Sequence, residues 1–366
     1  MLDSIVLIQF LRKQCSADFL ITDFENYPWE LLIRQARSAN LLSRIAVFLE
    51  EKEWLQFIPE KGRLHFLSAL CLANANARSA KWEVNEVYRV LSATNIDFVL
   101  LKGAAYILLE NDASKGRLFS DTDIMVYKEQ LDLAEKMLIK NGWFGDYFDD
   151  YKQRYYREWM HEIPPLQHLK RQTTLDVHHT IIPPTSYLRP NPKKLWEKAL
   201  TVENRAGIFV LSPLDMILHS ATHLFHEGEF NQGLRDISDL DLLLRQYIVI
   251  EEQWKALILR AGELNLERPL YYALNFTKKI LHTPVPEHLL DVAAEKAKLN
   301  GLVKKVMDEL FLRALAPNHE TCKIRGSNLA NQLLYIRSHW LKMPWYLLLP
   351  HLSRKAWMRL TGKEQH

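Results

Sequence analysis

Phe98-Val99-Leu100-Leu101-Lys102-Gly103 opens the stretch that organises this chain. It continues through a helix-like run, Ala104 to Asn111, and closes on Arg117-Leu118-Phe119-Ser120-Asp121-Thr122-Asp123-Ile124-Met125-Val126. Two apolar runs separated by a glycine and a short helix read as a compact β-α-β unit. Alternate side chains of a strand share a face, so Asp121 and Asp123 project to the same side. Carboxylates held that close repel each other unless a cation sits between them. Clustered hard oxygen ligands suit Mg²⁺, which is held by one or two carboxylates plus substrate phosphates.

Downstream, Leu166-Gln167-His168-Leu169 and Thr174-Leu175-Asp176-Val177-His178 alternate apolar and polar about the turn-like 170–173, a hairpin pattern. In its second strand Thr174, Asp176 and His178 share one face, and Leu175 and Val177 point into the core. If this strand lies beside the Asp-x-Asp strand, Asp176 becomes a third carboxylate at the same place.

Leu-Lys-Gly, a short helix, then Arg-x-x-Ser-Asp-x-Asp-Ile-x-Val, with a third carboxylate in order downstream, resembles the uncharacterised nucleotidyltransferases of the DNA polymerase β superfamily. The resemblance spans roughly Asp97 to Leu244. It implies an α+β fold, a small mixed palm-type sheet flanked by N-terminal and C-terminal helical domains. It also implies Mg²⁺-dependent (or Mn²⁺-dependent) transfer of a nucleoside monophosphate from a nucleoside triphosphate to an unidentified acceptor. Asp121, Asp123 and Asp176 would then be the metal-binding and catalytic trio. Two metals clamp the attacking and leaving oxygens, and the third carboxylate can accept the acceptor hydroxyl's proton.

Lys102, Gly103, Arg117 and Ser120 are the candidate nucleotide grip. A glycine lets backbone approach a phosphate, and the helix that begins there offers unpaired N–H groups and its positive dipole end. The wider superfamily carries Gly-Ser where Lys102-Gly103-Ala104 stands here, so the usual hydroxyl is missing. A non-catalytic nucleotide-binding or antitoxin-like protein on the same fold is the alternative that this leaves open.

Outside the palm, expected over 96–184, the pattern is helical. Residues 1–95 form one helical domain, with a long amphipathic helix over Gly62–Leu91 whose apolar stripe lapses at Arg78-Ser79. Pro183-Pro184 marks the exit from the sheet, and residues 185–366 form a second helical domain. There Ser212 is a candidate N-cap, with Pro213 at the first helical position. His219, His223 and His226 fall on one helix face, with Glu227 next. That spacing can hold zinc, though the zincin pattern is absent, with Ser220 after His219, and partial burial against the palm or lining of the substrate cleft accounts for it better. His178, His219, His223 and Arg235 are thus candidate cleft residues. Arg235 with Asp236 or Asp239 offers an ion-pair network between the helical domain and the palm.

The 366 residues, 48% apolar and 25% charged, are globular in balance. A net charge of +3 is too small to imply wholesale nucleic-acid binding. Cys15, Cys71 and Cys322 suggest neither a disulfide framework nor a thiolate zinc site. Asp3 precedes the first apolar run, no cleavage site follows, and no apolar run reaches the ~20 residues of a membrane span, so the expected setting is cytoplasmic. Between Glu320 and Glu364, basic Lys323, Arg325, Arg337, Lys342, Arg354, Lys355, Arg359 and Lys363 interleave with Trp340, Trp345, Tyr346 and Trp357. Such a tail can lie on an anionic membrane or bind RNA, or simply pack as a terminal helix with a solvated basic face.

Overall fold

The computed structural model describes residues 2–14, 23–145, 153–203, 205–226 and 228–348. Among these, helices α1 (Val6–Gln14), α2 (Trp29–Ser38), α3 (Leu42–Glu51) and α4 (Glu60–Ser92) precede the first strand. Helix α4 runs unbroken through Arg78-Ser79. Where its apolar stripe lapses, Asn76 anchors it instead: the side chain accepts from Phe119 N at 2.7 Å and donates to Phe119 O at 3.0 Å. A two-way amide clamp on a loop backbone replaces the missing hydrophobic contact.

The central unit forms as the periodicity predicts, with β1 (Phe98–Leu100), α5 (Lys102–Leu109) and β2 (Asp121–Met125). Helix α6 (Leu131–Lys140) and short strand β3 (Trp143–Phe144) follow, then the hairpin β4 (Leu166–His168) and β5 (Thr174–His178). The expected strand over Trp143 to Phe148 is seen for its first two residues; its last three lie outside the described residues. After Pro183-Pro184 the sheet resumes, unlike the expectation that it ends there. Helix α7 (Pro192–Glu197), capped by the Asn191 side chain, leads into β6 (Leu200–Val202) and β7 (Arg205–Val210). Strand β7 pairs parallel with β1, Phe98 opposite Ile208 and Leu100 opposite Val210. The apolar run Ile208 to Leu211 covers an edge of β1 that would otherwise leave backbone donors unpaired.

The result is a mixed seven-stranded sheet among the described residues, in the order β3-β4-β5-β2-β1-β7-β6. Strand β2 runs antiparallel to β1 and parallel to β5, so it lies at the middle of the sheet.

The remaining helices are α8 (Pro213–His226), α9 (Gly233–Tyr247), α10 (Glu251–Leu264), α11 (Glu267–Leu281), α12 (Glu287–Lys296), α13 (Gly301–Ala314) and α14 (Ser327–Lys342). Ser212 caps α8 as read from sequence, its hydroxyl accepting from Asp215 N at 3.3 Å. The helical pattern over Pro286 to Leu315 resolves into two helices, because Lys298 is left-handed (φ 52°) and Asn300 caps a new start. Phe225, Tyr272, Phe276 and Phe311 form the aromatic centre of this half, with Phe225 and Phe311 edge-to-face at 5.0 Å.

Arg337 departs from the expected solvated basic face. Its guanidinium lies over the Tyr272 and Phe311 rings and donates to Phe225 O at 2.9 Å. Trp340, Trp345 and Tyr346 are exposed, whereas the basic residues Arg354, Lys355, Arg359 and Lys363 and the aromatic Trp357 lie outside the described residues. Among the described residues no helix is long and apolar enough to cross a membrane.

Candidate active site

Strand pairing brings the three aspartates together. In the parallel β2–β5 ladder Asp123 is the direct partner of Asp176, and Asp121 is the partner of Thr174. Ile124, Leu175 and Val177 take the intervening positions and are fully buried, so the acids occupy the opposite face. Asp121 is exposed and Asp123 is buried.

Their electrostatics diverge. Burial alone would raise the Asp123 carboxyl, but the Lys102 ammonium, 3.0 Å away, and a 3.1 Å hydrogen bond with His178 Nε2 hold it well below its usual value. Asp176 has no such partner. Burial first, then the charges of Asp123 and Glu162, push its carboxyl up to about 7, and its Oδ1 is buried without a hydrogen bond. The folded chain therefore holds a proton that the unfolded chain releases near pH 4. Stability is complete below that pH and is lost as pH rises toward about 7. In EDTA, Asp176→Asn is expected to unfold about 1–2 kcal/mol later than the parent at pH 8, and almost together with it at pH 4, in urea melts. A variant less stable than the parent at pH 8 would contradict this assignment.

Asp121 and Asp123, but not Asp176, open into a polar cavity of about 420 Å³, within the range of small-molecule sites. Lys102, Gly103, Arg117, Ser120, Asp121, Asp123, His223 and Arg235 all line it. Its three cations are each matched to a carboxylate. Lys102 meets Asp123, Arg117 Nε meets Asp239 Oδ2 at 2.8 Å, and Arg235 meets Asp236 at 2.7 Å. Ser120 Oγ donates to Asp121 Oδ1 at 3.1 Å. His219 and His223 are held neutral, chiefly by burial and then by the nearby Lys102 ammonium. His219 is buried rather than lining the cavity.

Several expectations change in detail. A Cβ on Gly103 would stand 2.5 Å from the Phe119 ring and 2.6 Å from Arg117 Nη1. Glycine there makes room for these two side chains, as well as leaving its backbone on the cavity wall. Lys102 has a left-handed backbone (φ 43°) and is paired to a strand carboxylate. The ion-pair network is centred on Asp239 rather than Arg235. Asp239 binds Arg117, in the loop before β2, and, through Oδ1 at 2.7 Å, Arg44 of α3, and Arg44 also donates to Ser238 Oγ at 2.9 Å. Arg235 turns to its neighbour Asp236, the closer carboxylate in sequence. His219, His223 and His226 do not form a metal-ligand group among the described residues, and Glu227 lies outside them.

Two residues absent from the sequence reading also face this region. Glu162 makes an isolated antiparallel bridge with His178, and its Oε2 stands 3.2 Å from His178 Nδ1. His161 stacks near the His178 ring at 5.1 Å. They precede the β4 strand with no periodic pattern around them, and only the fold brings them to His178.

A mixed sheet flanked by helices, carrying carboxylates on two adjacent strands beside a polar cavity, is an α+β fold of nucleotidyltransferase type. The chain belongs to the uncharacterised nucleotidyltransferase family, which matches residues 25–282. That span reaches from the approach to α2 through α11. Among solved structures, an antigenic nucleotidyltransferase-like protein from Paracoccidioides brasiliensis is similar over 58% of this chain and 96% of its own, at 16% identity and a TM-score of 0.30. No curated protein matches the chain.

Proposed function

We propose that this chain moves a nucleoside monophosphate from a nucleoside triphosphate to an acceptor hydroxyl or phosphate, with Mg²⁺ or Mn²⁺ held by Asp121, Asp123 and Asp176. The observation that carries this reading is the direct ladder pairing of Asp123 with Asp176, with Asp121 two residues away, beside a cavity furnished with three cations. The buried, unpartnered Oδ1 of Asp176 fits a cation site, since hard metals take carboxylate oxygens. When bound, the divalent ions would neutralise the triphosphate and stabilise charge on the reacting oxygens.

The protein's own groups supply binding and proton transfer. Lys102, Arg117 and Arg235 offer positive charge to the phosphates, each oriented by its carboxylate partner. Ser120 fixes Asp121, and neutral His223 can donate a hydrogen bond within the cavity. As the acceptor oxygen bonds to the α-phosphorus, the bond from phosphorus to the bridging oxygen breaks and pyrophosphate leaves. Asp176 would take the acceptor's proton.

The test incubates the full chain with Mg²⁺ and each α-labelled nucleoside triphosphate, together with candidate protein, RNA and small-molecule acceptors. Label transfer with pyrophosphate release, abolished by EDTA, is expected. One feature favours a second reading, nucleotide binding without turnover: the Lys102–Asp123 pair already neutralises a proposed metal ligand. Nucleotide binding that persists in EDTA, with no label transferred to any acceptor, would select that reading.

A further inference from the structure

Residue His178 is used twice. Its Nε2 bonds to the Asp123 carboxylate at 3.1 Å, and its Nδ1, in a side chain only 3% exposed, has no hydrogen-bond partner although Glu162 Oε2 is 3.2 Å away. The Asp123 carboxylate on Nε2 orients the ring so that Nδ1 faces Glu162, and a carboxylate on the far nitrogen is typical of metal-ligating histidines. We propose that His161, Glu162 and His178 form a site for a divalent transition metal of the zinc class, distinct in its ligands from the three aspartates.

The dimensions suit such an ion. One donor atom from each of the three residues lies within 4.8 Å of the other two. A tetrahedral ion with bonds of about 2.0–2.1 Å needs its donors about 3.4 Å apart. Glu162 Oε2 and His178 Nδ1 already meet that spacing, and His161 Nε2, 3.9 Å from Glu162 Oε2, must close by about half an ångström. The two backbones are laced together on either side of the donors. His179 N donates to His161 O at 2.8 Å, Ile163 N donates to Val177 O at 3.1 Å, and Glu162 bridges His178 between them. A ligand set on a strand and a segment hydrogen-bonded along it is held in place.

Donor chemistry separates this site from the first. Two imidazoles and one carboxylate suit zinc and its neighbours, whereas Mg²⁺ prefers oxygen alone. The carboxylates of Asp123 and Glu162 flank the His178 ring and offer negative charge to a cation there. Three protein ligands leave a fourth position for water. Through His178 the bound ion would brace Asp123, so this is a positioning site for the aspartate cluster, and metal binding there does not require that nucleotidyl transfer occur.

The experiment strips the full chain with a chelator and titrates it calorimetrically with Zn²⁺ alone, then with Co²⁺ followed by visible absorption. One equivalent of Zn²⁺ and tetrahedral or five-coordinate Co²⁺ bands are expected. His161→Ala and Glu162→Gln should each weaken Zn²⁺ about tenfold or more, and Asp121→Asn should leave it unchanged. Glu162→Gln, nearly isosteric, keeps the test sharp should His161→Ala misfold. Absence of a stoichiometric site, or Zn²⁺ affinity that survives Glu162→Gln, would overturn the proposal. So would Zn²⁺ affinity lost in Asp121→Asn, because the ion would then sit on the aspartates. Failure of nucleotidyl transfer, by contrast, would leave the Zn²⁺ titration untouched.

Discussion

Asp123→Asn is expected to lower nucleotidyl transfer on the order of a thousandfold, equivalent to about 4 kcal/mol of barrier. The amide keeps the side chain's shape but removes the negative charge at the centre of the cluster, where Lys102 and His178 both converge on Oδ1. Two consequences separate chemistry from folding. First, Asp121→Asn, at an exposed position, should cost similar activity with little loss of stability. Second, Asp123→Asn should also destabilise the fold, since it strips a largely buried ammonium of its counter-charge. Steady-state label transfer, read beside urea melts of both variants, makes the comparison. Full activity in Asp123→Asn would remove the aspartate cluster from the reaction altogether.

Asp239→Ala should be the most destabilising single change where α3, the Arg117 loop and α9 meet. The Asp239 side chain is 3% exposed and its two partners, Arg44 and Arg117, are 4% and 10% exposed. Burial would raise the Asp239 carboxyl, but the two guanidinium groups outweigh it and hold it low. Removing the shared anion leaves two buried cations facing each other, a loss of about 3–5 kcal/mol. Thermal melts should fall by on the order of 5–10 °C. The cost arises from stranded charge rather than from a lost contact, so the double variant Arg44→Met/Asp239→Leu should recover part of it. Melting within a degree or two of the parent in Asp239→Ala would mean that water reaches both guanidiniums and that the network is not structural. The same change frees Arg117, so nucleotide affinity should move with stability.

These two sites differ in how far the chain itself announced them. Asp121 and Asp123 are two apart in one strand, and strand geometry alone puts them on one face. Asp176 lies in a hairpin strand with clear alternation, so its face was readable, although its neighbour was not. Asp239 is different. Its helix carries three acids, Asp236, Asp239 and Asp241, between Arg235 and Arg245, and nothing local says which of them pairs with Arg44, 195 residues before Asp239. The pairing emerges only when α3, the Arg117 loop and α9 meet.

By itself the sequence determined what is local: where helices and strands lie in the central unit, the cap of α8, the face carried by each aspartate, and the residue types able to hold a divalent cation. Periodicity of 2.0 and 3.6 residues encodes those directly. Tertiary structure decided what is non-local. Strand β7 joins β1 across about a hundred residues, Lys102 settles on Asp123 instead of standing free, Phe119 and Arg117 fill the space that Gly103 leaves, and Glu162 and His161 come to His178. Each of these is a choice among several chemically equivalent partners. Only distance and burial in the folded chain lift that degeneracy.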